Sequence, residues 1–251
     1  LFPGDFSGTS NTVVLKWKST CYFDKEGIMM MKERLILGIS GSPRKGANTD
    51  LMLMEAMKAA ETVEGIRTEI IYLRDYEIHN CKGCFACCRE PGKKDGGAHA
   101  CAMFRDGMDE IYPKLKACDG LIIASPVYFQ SVSAQVKQFM DRTEGLLRYG
   151  TSQYQYGLQN KVGGGLVVGG NRNAGEELTM LELQAFFQVH DMIVVGSGGE
   201  PTPGCYNGGA CTTYPQKGDV RDAVLADELG MKSCRNLGIR VAKTVMMLNR
   251  A

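Results

Sequence analysis

Five short apolar runs, separated by stretches with helical periodicity, constrain this chain more than any other feature. Leu35-Ile36-Leu37-Gly38-Ile39, Thr68 to Leu73 (TEIIYL), Leu121-Ile122-Ile123-Ala124, Leu166-Val167-Val168 and Met192-Ile193-Val194-Val195 read as strands. Runs that are apolar throughout, rather than alternating, need cover on both faces, which is the situation of a parallel sheet between two helix layers. Helical periods fill the gaps. One opens near Asn48-Thr49-Asp50, all good N-cap types, and carries Leu51, Met54 and Met57 on one face. Others lie near 106–117, 132–142, 174–188 and 221–248, and in the last of these Cys234, Leu237, Val241, Val245 and Leu248 recur at steps of three and four. The alternation predicts an α/β, doubly wound five-stranded parallel sheet with helices on both faces. No internal repeat and no second domain are visible.

Charge and cysteine placement narrow the class. The formal charge is +1, from 29 basic and 28 acidic residues with no basic block. That argues against nucleic acid or an anionic membrane as the main partner. No apolar run approaches the roughly 18 residues that span a bilayer. Of ten cysteines, five fall within 21 residues (Cys81, Cys84, Cys87, Cys88 and Cys101), while Cys21, Cys118, Cys205, Cys211 and Cys234 are scattered. A secreted disulfide scaffold would be shorter and more evenly stapled, so the expectation is a reducing, cytoplasmic setting. Residues 1–31 lack periodicity and read as an N-terminal extension, flexible or a gene-start artefact; an arm packing Trp17, Tyr22 and Phe23 on a neighbouring subunit is the alternative. The domain itself then runs over 32–251, with a cysteine-rich loop at 79–105.

Two loops carry chemistry. Ser40-Gly41-Ser42-Pro43-Arg44-Lys45-Gly46-Ala47-Asn48-Thr49 joins the first strand to the first helix. In an open α/β sheet, ligands bind beyond the carboxyl ends of strands. Backbone N–H groups and a helix N-terminus favour an anion there, the Ser, Asn and Thr side chains add donors, and Arg44 can neutralise a phosphate. The loop is neither Gly-x-Gly-x-x-Gly nor a P-loop; an ordinary turn with a capping Asn is the plain alternative. The second loop, Cys81-Lys82-Gly83-Cys84-Phe85-Ala86-Cys87-Cys88, follows strand two, and thirteen residues separate Cys87 from Cys101. Thiolates at this spacing can ligate one metal centre, and four complete a [4Fe–4S] site. Structural zinc, a Cys81/Cys84 dithiol, or no metal at all are the competing readings. Pro91, Gly92, Gly96 and Gly97 lie in the insertion, which can fold back to bring Cys101 to the others. His79 and His99 flank the loop and read as solvated rather than ligating.

At these residues the chain resembles a known family. Gly-Ser-Pro-Arg-Lys-Gly-Ala-Asn-Thr resembles the FMN-phosphate loop of the NADPH-dependent FMN reductase branch of the flavodoxin superfamily. Ala124-Ser125-Pro126-Val127-Tyr128-Phe129, followed by Ser131 to Lys137 and Asp141-Arg142, resembles its second flavin loop; Gly169-Gly170-Asn171-Arg172-Asn173-Ala174-Gly175 resembles the third. The similarity covers roughly Arg34 to Asn249. It implies a flavodoxin-like sheet of order 2-1-3-4-5. It also implies FMN held by Ser40, Ser42, Arg44, Lys45, Asn48, Thr49, Pro126, Val127, Tyr128, Phe129, Gly169, Gly170, Asn171, Asn173 and Gly175. The cysteine run resembles the compact motif of the archaeal iron–sulfur flavoproteins, whose register implies Cys81, Cys84, Cys87 and Cys101 as ligands of a [4Fe–4S] cluster, with Cys88 competing for the third position. The implied function is an FMN-dependent oxidoreductase. It would pass electrons between a one-electron donor such as ferredoxin, the cluster and FMN to a small acceptor. A cluster-free NAD(P)H-dependent FMN or quinone reductase is the alternative, and a flavodoxin-type carrier a third. The resemblance also implies a homo-oligomer, dimer or tetramer, whose cluster loop faces a neighbour's flavin. No catalytic side chain is expected, since the flavin carries the chemistry. Cys118 and Cys234 read as small core residues, His190 as a cap or packing residue near strand five, and Cys205 and Cys211 as part of a Gly-rich loop, Pro201 to Gly218, that reads as a plain surface loop, a border to the flavin and a substrate site being the alternative.

Overall fold

The computed structural model describes residues 21–23, 29–31, 33–89, 101–147, 156–171, 173–198, 204–216 and 220–249, with 21–23, 29–31, 88 and 89 described by their backbone alone. Strands β1 (Cys21–Phe23) and β2 (Met29–Met31) pair antiparallel in a small sheet of their own. The expectations for residues 1–20 and for the Tyr22 and Phe23 side chains lie outside the described residues.

The main sheet is built from β3 (Arg34–Ser40), β4 (Ile66–Tyr72), β5 (Gly120–Pro126), β6 (Val162–Gly169), β7 (Ile193–Val194) and β8 (Gly209–Thr212). Every pairing is parallel, in the order β4-β3-β5-β6-β7, which is 2-1-3-4-5 in sequence order of its strands. Successive side chains of each strand enter opposite core layers. Leu35, Leu37 and Ile39 join Leu121, Ile123 and Val167 on one face; Ile36, Ile122 and Leu166 lie on the other. Helices α3 (Met108–Ala117), α4 (Ala134–Arg142) and α6 (Glu176–Val189) cover the first face through Ile111, Phe139 and Leu183. Helices α1 (Asn48–Glu61) and α7 (Glu228–Leu248) cover the second through Leu53 and Leu237. Between these, α2 (Ala86–Arg89) and α5 (Glu144–Leu147) are single turns.

Three sequence expectations need correction. First, β8 pairs with the carboxyl half of β6, a sixth strand where a surface loop was expected. Cys211 is accordingly buried on β8, with its sulfur 3.8 Å from that of Cys234. Second, β6 begins four residues earlier than its apolar run, because Gly163, Gly164 and Gly165 are strand residues. A Cβ on Gly163 or Gly165 would meet Phe187 or the sulfur of Met180 at 2.7 Å, so α6 packs on bare backbone there. Third, α1 buries Met52, Leu53, Ala56, Met57 and Ala60 while Met54 is exposed, so its inner face is turned from the one the spacing suggested.

Helices α1 and α7 touch at closest range through Gly238, where an added Cβ would lie 1.9 Å from the Ala56 carbonyl oxygen. Gly238→Ala is therefore expected to lower stability by about 1–3 kcal/mol through overpacking. The urea midpoint measures this, and an unchanged midpoint would show that the two helices can separate at little cost.

Candidate functional site

Asp50, in the first turn of α1, shapes the loop that follows β3. Its carboxylate accepts from the Ser40 hydroxyl (2.6 Å) and from the Gly46 amide (2.7 Å). Arg74 closes on it from beyond β4, with Nη2 2.9 Å from Oδ2, and donates also to the Ser42 carbonyl at 3.2 Å. The guanidinium lies over the Tyr72 ring at 4.4 Å. Burial, and next the charge of Asp50, push the Tyr72 hydroxyl pKa up. With Asp50 neutralised in this way, the exposed Arg44 and Lys45 set the sign of the loop, ahead of the α1 N-terminus. That combination favours an anion.

Two residues expected to face that anion do other work. Ser40 is fully buried and spends its hydroxyl on Asp50. Asn48 donates from Nδ2 to the Val220 carbonyl (2.9 Å) and accepts at Oδ1 from the Val224 amide (3.1 Å), so it ties the start of α1 to the segment ahead of α7. The cap position of α1 is Ala47, without a side-chain bond.

The second loop leaves β5 at Pro126 and turns tightly at Tyr128–Ser131, whose backbones bond each other reciprocally at 2.9 and 3.1 Å. The two central residues, Phe129 and Gln130, have φ of 53° and 63°. Non-glycine residues seldom adopt this left-handed geometry without support. Glu182 on α6 supplies it, accepting from the Ser131 hydroxyl (2.7 Å) and the Val132 amide (3.1 Å). Gly175 lets the α6 N-terminus approach, since a Cβ there would lie 2.7 Å from Gln130.

The three loops enclose a cavity of about 420 Å³ beyond the carboxyl ends of β3, β5 and β6. Ser42, Arg44, Asn48 and Thr49 line it from the first loop, Pro126, Val127 and Tyr128 from the second, and Gly169, Gly170 and Asn171 from the third. Ser40, Lys45, Phe129, Asn173 and Gly175 are not among its lining residues. Phe129 projects wholly into solvent because the turn points it outward, and Gly175 acts through the close approach just described. Thr213, Gln216 and Val220 also line the cavity; the first two belong to the loop whose alternative reading put it beside the flavin, while Val220 carried no sequence signal. They follow β8, and the Thr213 amide bonds the Gly169 carbonyl at 2.9 Å. The paired threonines Thr212-Thr213 were the available strand signal. The size suits a cofactor, within the roughly 300–1,000 Å³ of small-molecule sites.

The cysteine loop is pinned just ahead of Cys81. Gln138 on α4 donates to the Ile78 carbonyl (2.6 Å), Arg142 donates to the His79 carbonyl (2.8 Å), and the His79 amide donates to Asp106 (2.9 Å). Asp106 and Arg142 form a buried pair, with Nη1 2.5 Å from Oδ2 and Nη2 3.2 Å from Oδ1. Cys81, Cys84, Cys87 and Cys101 all line one small cavity of about 40 Å³. Among the described residues no three His, Cys, Asp or Glu side chains converge on a single-ion position. A zinc site collects four ligands at one point with bonds of about 2.3 Å, whereas a four-iron cluster takes one thiolate at each iron. Four thiols lining one cavity are the donor set that such a cluster needs. The Cys88 side chain and His99 lie outside the described residues. His79 stacks on Phe104 at 4.8 Å and sits against Asp106.

Elsewhere, Cys118 and Cys234 are buried in the two core layers. Burial pushes the Cys118 thiol up to about 12. His190 ends α6, buried, with its Nε2 2.9 Å from the Thr143 hydroxyl; burial lowers its pKa to about 4. The buried Asp106–Arg142 pair makes stability pH-dependent. Burial would raise the Asp106 pKa, but bonds from Arg142 and from the His79 and Met108 amides outweigh it and hold the value at about 2. A depressed carboxylate contributes stability above its unfolded value near ~3.9, and loses that contribution as pH falls toward the folded value. The gap in urea midpoint between the native protein and Asp106→Asn should therefore be widest at neutral pH and shrink as pH drops from about 4 to about 2. A gap independent of pH would show that the charge of Asp106 is not what stabilises the loop.

Comparison with known proteins agrees with this architecture. The family model of NADPH-dependent FMN reductases matches residues 34–199. An iron-sulfur flavoprotein of Methanocaldococcus jannaschii is 43% identical over 86% of this chain and 99% of its own. One from Methanosarcina thermophila is 36% identical over 79% of this chain and 93% of its own. Among solved structures, RosB with bound 8-demethyl-8-formylriboflavin-5'-phosphate matches with a TM-score of 0.64 at 16% identity, over 86% of this chain and 80% of its own. A flavodoxin-type WrbA-like protein of Agrobacterium tumefaciens gives 0.52 at 16% identity, over 86% and 99%; at this identity the likeness is one of fold. The chain belongs to the NADPH-dependent FMN reductase family of FMN-dependent oxidoreductases and, within it, to the iron–sulfur flavoproteins.

Proposed function

We propose that the chain holds FMN in the cavity beyond β3, β5 and β6 and a [4Fe–4S] cluster on Cys81, Cys84, Cys87 and Cys101. On this reading it carries electrons from a one-electron donor such as ferredoxin to a small acceptor. The observation that supports it best is that four thiols from both ends of the cysteine loop line one cavity whose backbone is braced by α4. When bound, FMN supplies paired one- and two-electron chemistry and the cluster single-electron transfer. The chain's own part is positioning. Arg44 and the α1 N-terminus receive the phosphate, Val127 and Tyr128 border the ring, and Gly169 and Gly170 allow close backbone approach. A cluster-free NAD(P)H-dependent FMN or quinone reductase is the second reading; it gives the four gathered thiols no use.

A homo-oligomer fits the exposed Phe129, Phe85, Leu178, Leu181 and Val189, apolar side chains that a second copy can cover. A cytoplasmic setting fits thiols that must stay reduced. No helix among the described residues is long and apolar enough to cross a membrane.

The test is anaerobic purification followed by iron, sulfide, zinc and FMN quantitation. About four irons and four sulfides per FMN are expected; FMN without iron in protein never exposed to oxygen would leave the second reading standing. Cys84→Ala should lose the iron and keep FMN, because the two cavities share no lining residue. Arg44→Gln should weaken FMN binding by about 10- to 100-fold in a fluorescence titration, the weight of one charge-assisted bond of about 1.5–3 kcal/mol. Unaltered affinity would move the phosphate away from Arg44.

A further inference from the structure

Arg142 does more than brace the cysteine loop. Its side chain is only 1% exposed, and it lines the same cavity as the four thiols. Two of its three nitrogens are accounted for: Nη1 reaches Asp106 and the His79 carbonyl, and Nη2 reaches the other Asp106 oxygen. The guanidinium also lies 5.0 Å from the Phe104 ring centroid. Nε is buried with no hydrogen-bond partner among the described residues. An unsatisfied buried donor is costly, and more so on a charged group. Asp106 is absent from the cavity lining, so Arg142 is the member of the ion pair that borders the thiols; Lys82, Asp141 and Glu144 are the other charged residues of that lining. A four-thiolate iron–sulfur cluster is an anion whose sulfurs accept hydrogen bonds, and such bonds and nearby charge set its reduction potential.

We infer that Arg142 tunes the cluster: Nε–H donates to a cluster or thiolate sulfur, and the guanidinium charge, oriented by Asp106, stabilises the more negative reduced form. This rests on the assignment of a cluster to Cys81, Cys84, Cys87 and Cys101. A guanidinium facing an anion favours its reduction, so charge changes at this pair act with a definite sign. Removing the negative member alone strengthens the positive field at the cavity. Removing both members takes away the field and the donor together. A pair that served only to hold the loop would not distinguish the two.

The experiment is an EPR-monitored potentiometric titration of anaerobically purified holoprotein, with iron and FMN counted in every sample. Asp106→Asn should raise the cluster midpoint, and Asp106→Asn/Arg142→Gln should lower it below that of the native protein. Midpoints that stay put, that move in the same direction, or that are lost together with iron in both variants overturn the inference. A measurement on the native chain stands apart from variant folding. Protein grown with ¹⁵N-arginine and reduced should show a ¹⁵N coupling to the cluster by pulsed electron–nuclear resonance, and Arg142→Lys should abolish it. Absence of that coupling in iron-replete native protein overturns the inference alone. Native protein without iron overturns the cluster assignment and this inference with it.

Discussion

Helix α4 is the strut on which both cavities depend. At its N-terminus Ser133 caps the helix, donates from its hydroxyl to the Gly41 carbonyl of the first loop (2.8 Å), and donates from its amide to the Ser125 hydroxyl oxygen (2.9 Å). At its other end Gln138 and Arg142 grip the backbone ahead of Cys81. Nine residues at about 1.5 Å each make this strut roughly 13 Å long. Its inner face is fixed by Val136 and Phe139, both fully buried beneath the sheet. A rigid element bonded to one loop at each end sets the separation of the two sites by its length.

The two loops are braced by the same device. Each has a buried carboxylate that takes bonds from loop amides and is neutralised by an arginine arriving from another element: Asp50 with Arg74, and Asp106 with Arg142. Burying such a pair costs desolvation, which excellent geometry and further hydrogen bonds offset. The return is definition, because loop backbone that would otherwise wander has fixed acceptors. Breaking either pair by removing one member leaves an uncompensated charge, so each brace is sensitive to single changes.

Much of this was legible in the chain because it is written in local runs. The strands β3, β4 and β5 announce themselves as apolar runs, and the loops after β3, β5 and β6 follow at the positions that open sheets use for ligands. What was hidden depends on contacts distant in sequence. β8 is Gly-Ala-Cys-Thr, too short and too small to show an apolar period, and it becomes a strand only because β6 offers an open edge. The glycines of β6 look like loop until α6 and α7 are laid on them. Asn48 has the chemistry of a phosphate ligand or a cap, but its partners are Val220 and Val224, more than 170 residues away. Phe129 reads as a ring contact until the left-handed turn points it outward.

The consequences for the chemistry differ between the two sites. The flavin cavity is assembled from loops of three strands and closed by residues after β8, so its shape is a property of the whole sheet edge. The cysteine cavity is local: a loop, the α4 C-terminus and α5, with Lys82, Asp141, Arg142 and Glu144 as its charged lining. Changes confined to the second cavity should therefore leave the first intact, since contributions from sites without shared partners add independently. The link they do share, α4, transmits position rather than charge. At its Ser133 end the bonds to the first loop and to β5 go to uncharged groups, the Gly41 carbonyl and the Ser125 hydroxyl, while Arg142 at the other end lines the cavity of the thiols. The fold thus fixes where the two sites sit relative to one another along one helix, and leaves the charge at each to side chains of its own: the exposed Arg44 at the first, and the buried Arg142 with Lys82, Asp141 and Glu144 at the second.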